Sequence, residues 1–299
     1  EHPLEGSSGI LKRLNPKHKY FAAVDMSSGF SQIPLAEESR NLFTVILPWG
    51  KYRYKVLPQG LNISPEVFDI HTAQEIRNRE NTWKNADDIL GGGGRLDELD
   101  IVMRSVFDVC RRRGIKLSPS KLQVGRKIRW GGVVVEAVGP LEEESNVLIS
   151  PDEKKVEDFL NLVTPSSKKE CQMLAGMAAQ MKKFCPGMQI QYPGIMQLCS
   201  PSVRFQWNDD LEKELQDLKR CLKEFVKISP IDTSKGLELV IDSAATVGTS
   251  YLLLQRVDEE DPSKGYRFIS MDSSNFRRGQ LSLCPFEAEV AGLRYACRK

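Results

Sequence analysis

The stretch Lys84 to Leu96, KNADDILGGGGRL, sets two adjacent aspartates, Asp87 and Asp88, ahead of four glycines. A third aspartate, Asp25, ends the apolar run Tyr20-Phe-Ala-Ala-Val24. Three clustered carboxylates are the donor set of a magnesium pair. Such ions stand about 3.5–4 Å apart, bridge a phosphate and stabilise both the attacking and the leaving oxygen. Mg²⁺ takes carboxylate, phosphate and water oxygens, so histidine is not needed. Only His2, His18 and His71 are present, which argues against Ser-His or Cys-His chemistry. An aspartate at a strand end also serves as a cap or turn residue, and paired aspartates arise by chance. Neighbouring strands of one sheet would bring the two turns together.

Around these acids, the 299 residues suffice for two domains or one large lobed one. An apolar fraction of 40% supports real cores, and 27% charged residues is ordinary for a soluble chain. No run of 18 apolar residues occurs and no apolar leader opens the sequence, so neither a membrane nor secretion is indicated. Seven cysteines without C-x-x-C spacing favour reduced thiols in an intracellular protein. Net charge is only +2, but Arg104 to Trp130 holds nine basic residues against Asp108. That segment is either a solvated helix end and loop or a phosphate-neutralising patch.

The elements that must position the acids follow from periodicity. Residues 20–24 predict a buried strand. Phe43–Leu47 and Lys51–Leu57 predict a hairpin around PWG, with Tyr52, Tyr54 and Val56 alternating against Arg53 and Lys55. Ser64-Pro65-Glu66 reads as a helix start capped by Ser64. A helix is expected from about Leu96 to Arg113, stopped by Gly114. Ile128–Val138 returns to strand. Helices are expected after Ser150-Pro151-Asp152-Glu153 (Val156, Phe159, Leu160 and Val163 on one face), after the Ser167–Glu170 capping box up to Pro186-Gly187, and after Asn208. From Lys235 three strands (237–242, 251–255, 266–270) precede a helix from Pro285. Linkers are expected at Gly139–Ile149 and Lys227–Lys235.

The run KYFAAVDMSSGFSQIPLAEESRNLFTVILPWGKYRYKVLPQGLNISPEVF, followed by NADDIL and GIKLSPSKLQVGRKIRWGGVVV, resembles the fingers–palm core of reverse transcriptases from gypsy-type LTR retrotransposons. The helical stretch resembles their thumb, and VIDSAATVGTSYLLLQ with FEAEVAGLRYA resembles the start of their RNase H domain. The likeness runs in order from about Leu11 to Lys299. It implies an α+β fold: a right-hand polymerase with partial fingers and palm at 1–148, helical thumb at 149–230, and the start of an RNase H-like α/β domain at 231–299.

The implied activity is RNA-directed DNA polymerisation, in which the primer 3′-hydroxyl attacks the nucleotide α-phosphate and pyrophosphate leaves. The resemblance assigns Asp25, Asp87 and Asp88 to two Mg²⁺ ions, with Mn²⁺ as a substitute. Phe30 becomes an aromatic gate against a 2′-hydroxyl, or else an ordinary core ring. Gln59 and Gly60 would line the nucleotide pocket, and Trp130, Gly131 and Gly132 would grip the primer end. Arg111, Arg112, Arg113, Lys116, Lys121, Arg126, Lys127 and Arg129 would hold the duplex backbone. Asp242 and Glu289 match the first two RNase H metal acids. The implied partners are an RNA or DNA template with its primer, dNTPs, and a second copy or other Pol-derived subunits.

Departures from the pattern are also legible. Asn85 stands where the family has an aromatic or aliphatic residue, and NTWKNA is polar for a buried catalytic strand. Gly91–Gly94 replaces a return strand and reads as a loose loop after the acidic turn, at roughly 0.5–1 kcal/mol of lost order per glycine. Few residues precede Asp25 for the fingers strands, and the sequence ends before the last two RNase H acids, so no RNase H cleavage is expected. The alternative reading is a non-catalytic relic or adapted protein that keeps the fold and binds nucleic acid or protein.

Overall fold

A computed structural model describes residues 7–140, 146–185, 188, 192–276 and 283–298. Pro186-Gly187 and the acidic residues 141–145 lie outside these. The chain divides into two compact units, Glu1–Val147 and Leu148–Lys299.

The first unit opens with α1 (Ser7–Lys12) and β1 (Tyr20–Asp25), then the hairpin β2 (Thr44–Leu47) and β3 (Gly50–Arg53). Helix α2 (Ser64–Arg77) leads to β4 (Thr82–Asn85) and β5 (Asp88–Gly93), joined by the two-residue turn Ala86-Asp87. After α3 (Leu96–Arg113) come β6 (Gln123–Gly125), β7 (Lys127–Trp130) and β8 (Val133–Val138), the last two forming an antiparallel hairpin. The central sheet has the order β4-β5-β1-β6, all antiparallel. Its core joins Val24, Ile89, Phe68 and Ile76 to Leu99, Met103, Val106 and Cys110 of α3. That 4-3-4 spacing is one helix face, and each such side chain contributes about 1.5–3 kcal/mol by leaving water.

Three expectations need correcting here. The glycine run is itself the return strand: Gly91, Gly92 and Gly93 are buried in β5 and pair with Ala22, Phe21 and Tyr20 of β1. Missing side chains are what the packing requires. A Cβ at Gly91 would stand 2.7 Å from Met103 Sδ, one at Gly92 2.2 Å from His18 Nδ1, and one at Gly93 2.8 Å from the Leu99 amide nitrogen. Glycine thus lets α3 approach one face and His18 the other. Second, Ser64 does not cap α2. Its buried hydroxyl donates to the Pro58 carbonyl at 2.7 Å, and Ile63 is the N-cap. Third, the polar strand β4 is half buried, with Thr82 and Lys84 turned inward.

In the second unit β9 (Asn146–Pro151), which begins within the expected linker, enters at its start and hands over to α4 (Glu153–Leu160), capped by Asp152. Because α4 ends at Leu160, Val163 falls beyond it and is exposed rather than on the apolar stripe. Helices α5 (Lys168–Met181, capped by Ser167), α6 (Pro193–Leu198) and α7 (Asp209–Lys223, capped by Asn208) complete the helical part. An antiparallel sheet of β10 (Glu238–Ala244), β11 (Gly248–Arg256) and β12 (Tyr266–Asn275) follows, with α8 (Pro285–Ala296) packed on β10 and β11. Lys182 pairs with Asp272 of β12 at 2.6 Å, which ties the end of the helical part to the sheet within this unit.

Candidate active site

Strand pairing does what the sequence required. Asp25 and Asp88 are direct register partners at the ends of β1 and β5. The chain then continues with Met26 N–H donating to the Asp87 carbonyl at 2.8 Å, which holds the β4–β5 turn against Asp25. On the other side, Ser118 N–H donates to the Asp25 carbonyl at 2.8 Å. Ala86 sits in the turn at φ 50°, a left-handed conformation that costs a non-glycine residue about 1–2 kcal/mol. That cost is borne at the tip carrying Asp87.

A cavity of about 460 Å³ opens beside this pair, lined by Asp25, Asp88, Lys121, Arg129, Trp130 and the Gly131-Gly132 turn among others. Two of the three acids assigned to the metal, Asp25 and Asp88, therefore share one pocket with the residues assigned to the primer end, and Asp87 stands in the adjoining turn. Trp130 is buried, and its indole N–H has no partner among the described residues. Gly131 and Gly132 both have positive φ, 57° and 81°, as the tight β7–β8 turn demands.

Burial, the charges of Asp25 and Asp87, and a hydrogen bond with Asp25 push the Asp88 carboxyl up to about 6, partly opposed by the Gly131 amide. Native protein therefore holds this proton more tightly than unfolded chain, and stability falls as pH rises from about 4 to about 6. Asp88→Asn is expected to be more stable than the parent by about 1 kcal/mol at pH 7.5, a figure reduced for solvent screening. The gap should close below pH 4. Denaturation midpoints at pH 3.8 and 7.5 decide it, and a constant difference between them would refute the assignment.

Among the described residues no three metal-type donors converge closely enough to enclose an ion as the side chains stand. The donor set nonetheless fits a divalent cation. Asp88 in its protonated form hydrogen-bonds Asp25, Asp87 adds its charge, and the repulsion among the three ionised groups is what a cation would relieve. Lys121, on the turn before β6, meets part of that charge through an ion pair with Asp25. Its sequence assignment was to the duplex backbone; the structure sets it at the acids instead.

The other assigned residues scatter. Phe30 lies in a short 3₁₀ turn (Gly29–Gln32), half buried, its ring 4.9 Å from that of Phe68. Gln32 ties this turn to the segment after α3, donating to the Lys116 carbonyl at 3.0 Å and accepting from its amide at 2.7 Å. Gln59 and Gly60 are exposed, with Gly60 at φ 91°. Arg112 and Arg113 both pair with Glu75 of α2, so part of the basic segment is neutralised within the protein. Arg126 donates to the Gly139 carbonyl; Arg111, Lys116, Lys127 and Arg129 are exposed. Asp242 and Glu289 are exposed on β10 and α8, and no hydrogen bond joins them among the described residues. Ile241 and Ser243 face Gly292 of α8, which turns Asp242 to the opposite side of the sheet.

Sequence reasoning missed two features of this site. One is the Lys121–Asp25 pair; the other is a buried ion pair between Lys84 and Asp69 at 3.2 Å. Neither leaves a local signal, because the partners lie 96 and 15 residues apart.

An antiparallel sheet that carries paired aspartates at one end and is backed by helices is an α+β arrangement with its acids gathered at one cavity. Residues 5–135 match the family model described as "Reverse transcriptase (RNA-dependent DNA polymerase)". The chain is 25% identical over 296 residues to the retrovirus-related Pol polyprotein from transposon 412 of Drosophila melanogaster, covering 98% of this chain and 23% of that protein. It is 26% identical over 232 residues to the enzymatic polyprotein of Cauliflower mosaic virus strain D/H, covering 76% of this chain and 33% of that one. The chain thus spans a third or less of these relatives. The solved foamy viral protease-reverse transcriptase in complex with RNA/DNA hybrid superposes with a TM-score of 0.81 at 18% identity, over 99% of this chain and 38% of that one. The foamy viral protease-reverse transcriptase dRH in complex with double-stranded DNA gives 0.76 at 19% identity, over 99% of this chain and 50% of that one. Residues 5–135 are thus similar to the reverse transcriptase domain found in retrotransposon and retroviral Pol polyproteins.

Proposed function

We propose that this chain is the RNA-directed DNA polymerase module of a gypsy-type retroelement. The observation that carries the reading is the register pair Asp25–Asp88 with Asp87 in the adjoining turn, facing one cavity with Trp130, Gly131 and Gly132. Reverse transcriptases use divalent metal ions, and here Asp25 and Asp87 would hold two Mg²⁺ with Asp88 beside them. When bound, the ions supply charge neutralisation at the reacting phosphate. Phe30 stands against the sugar of a dNTP, the Gly131-Gly132 turn seats the primer end, and the exposed arginines and lysines after α3 hold the template–primer duplex by its phosphates. Residues 149–230 serve as the thumb, and 231–299 are the beginning of an RNase H-like domain with Asp242 and Glu289 as its acids.

The test is extension of a labelled primer on RNA and DNA templates with Mg²⁺ and dNTPs. Full-length folded protein should extend the primer, and Asp87→Asn should show no extension above background. A well-folded parent that fails to extend would overturn the polymerase reading in favour of a non-catalytic protein that keeps the fold.

A further inference from the structure

Lys84 has no exposed side-chain surface, and it stands on β4 three residues before Asp87. Its ammonium donates to Asp69 Oδ1 of α2 at 3.2 Å, and Asp69 is itself buried. Both oxygens of Asp69 also accept from Arg77, at 2.9 and 3.0 Å, so the carboxylate is fixed in a fork before Lys84 reaches it. The same ammonium lies 5.0 Å from the centroid of the Phe68 ring, within cation–π range.

Phe68 in turn supports Phe30, the two rings 4.9 Å apart and tilted by 30°. Their approach depends on Gly29, where a Cβ would stand 2.6 Å from Phe68 Cζ. One continuous set of contacts therefore runs from the strand that carries the Asp87 turn, through Lys84, to Asp69 and Phe68 of α2, and on to Phe30. Stability alone does not call for an ion pair at this place. A buried ion pair costs so much desolvation that a well-packed apolar pair of similar volume is often equally stable. What an ionic pair adds is direction: a point charge and a fork meet in one geometry, whereas two aliphatic chains slide.

We propose that Lys84 is a positioning residue for nucleotide selection, which sets the Phe30 ring at the sugar by holding Asp69 and Phe68. This deepens the polymerase reading and rests on it. Lys84→Met is expected to lower discrimination between dNTPs and ribonucleotides, as the ratio of kcat/KM values, by about tenfold, equivalent to about 1.4 kcal/mol of transition-state binding. The change should come mainly from a lower KM for the ribonucleotide, with kcat for the dNTP within about threefold of the parent. The triple variant Lys84→Met/Asp69→Leu/Arg77→Leu, which removes every charge of the cluster, guards against loss of folding. Its thermal midpoint should return toward the parent while discrimination stays low.

Discrimination that recovers together with stability would reduce Lys84 to a structural role and overturn the proposal, as would an unchanged ratio in Lys84→Met. A readout independent of activity separates this from failure of the polymerase reading. With 4-fluorophenylalanine placed at position 30, the ¹⁹F resonance should shift in both variants even if the parent extends no primer. An unmoved resonance in folded Lys84→Met overturns the positioning role by itself.

Discussion

Asparagine at position 25 is expected to slow primer extension by on the order of 10³-fold or more, the loss typical when one group of a charge-stabilising constellation is removed. Asp25 is the better target of the register pair because its backbone is held from two sides, by the Asp87 carbonyl contact through Met26 and by Ser118 N–H. An isosteric amide keeps those bonds and removes only charge. It also frees Lys121 from its ion pair, which leaves an exposed ammonium at the cavity. Affinity for a template–primer duplex should therefore stay within a few-fold of the parent, or rise at low salt. Single-turnover extension at saturating dNTP, alongside a salt titration of duplex binding, separates the two effects. Extension at parental rates would remove Asp25 from the chemistry, and with it the two-metal reading.

Gly92→Ala should destabilise the protein by about 3 kcal/mol, at the upper end of the range for overpacking a core. The added methyl would stand 2.2 Å from His18 Nδ1 and 2.8 Å from Cε1. His18 cannot retreat cheaply. It is buried, its ring packs edge-on against Phe21 and Trp83 at 6.1 and 5.8 Å, and burial pushes its pKa down to about 4, so it is neutral there. Gly94→Ala is the matched control, since its Cβ would meet only the Glu98 carboxylate at 3.2 Å, the far end of a side chain that can swing away. Denaturant unfolding of both should show the difference, with the slope unchanged. Equal midpoints would mean that β5 tolerates side chains on the His18 face, contrary to the packing described.

Much of this site is written in local pattern. β1 is legible because an apolar run ends on an acid, α3 because its apolar residues fall on one face before a left-handed glycine, and the caps of α4, α5 and α7 because Asp152, Ser167 and Asn208 bond the amides that follow. The errors have one cause. Gly91–Gly94 read as a loose loop because glycine is a poor strand former alone, yet the approach of α3 and His18 demanded it. The polar character of β4 argued against burial because the partner that satisfies Lys84 sits on another element. The Asp25–Lys121 pair is likewise a product of tertiary structure. Local sequence records backbone preference; it does not record which distant group will arrive to complete a charge.

The glycine strand has a mechanical consequence. Residues 91–93 are of the type that elsewhere makes hinges, but here they are paired with β1, Gly91 with β4 as well, and pressed from both faces. Their stiffness comes wholly from their neighbours, since glycine contributes no side chain of its own to hold a shape. The acid-bearing turn at 86–88 is thus a short cantilever rooted in the least deformable part of the sheet. Any change that loosened α3 or His18 would be felt at its tip as a misplaced carboxylate before it was felt as an unfolded protein.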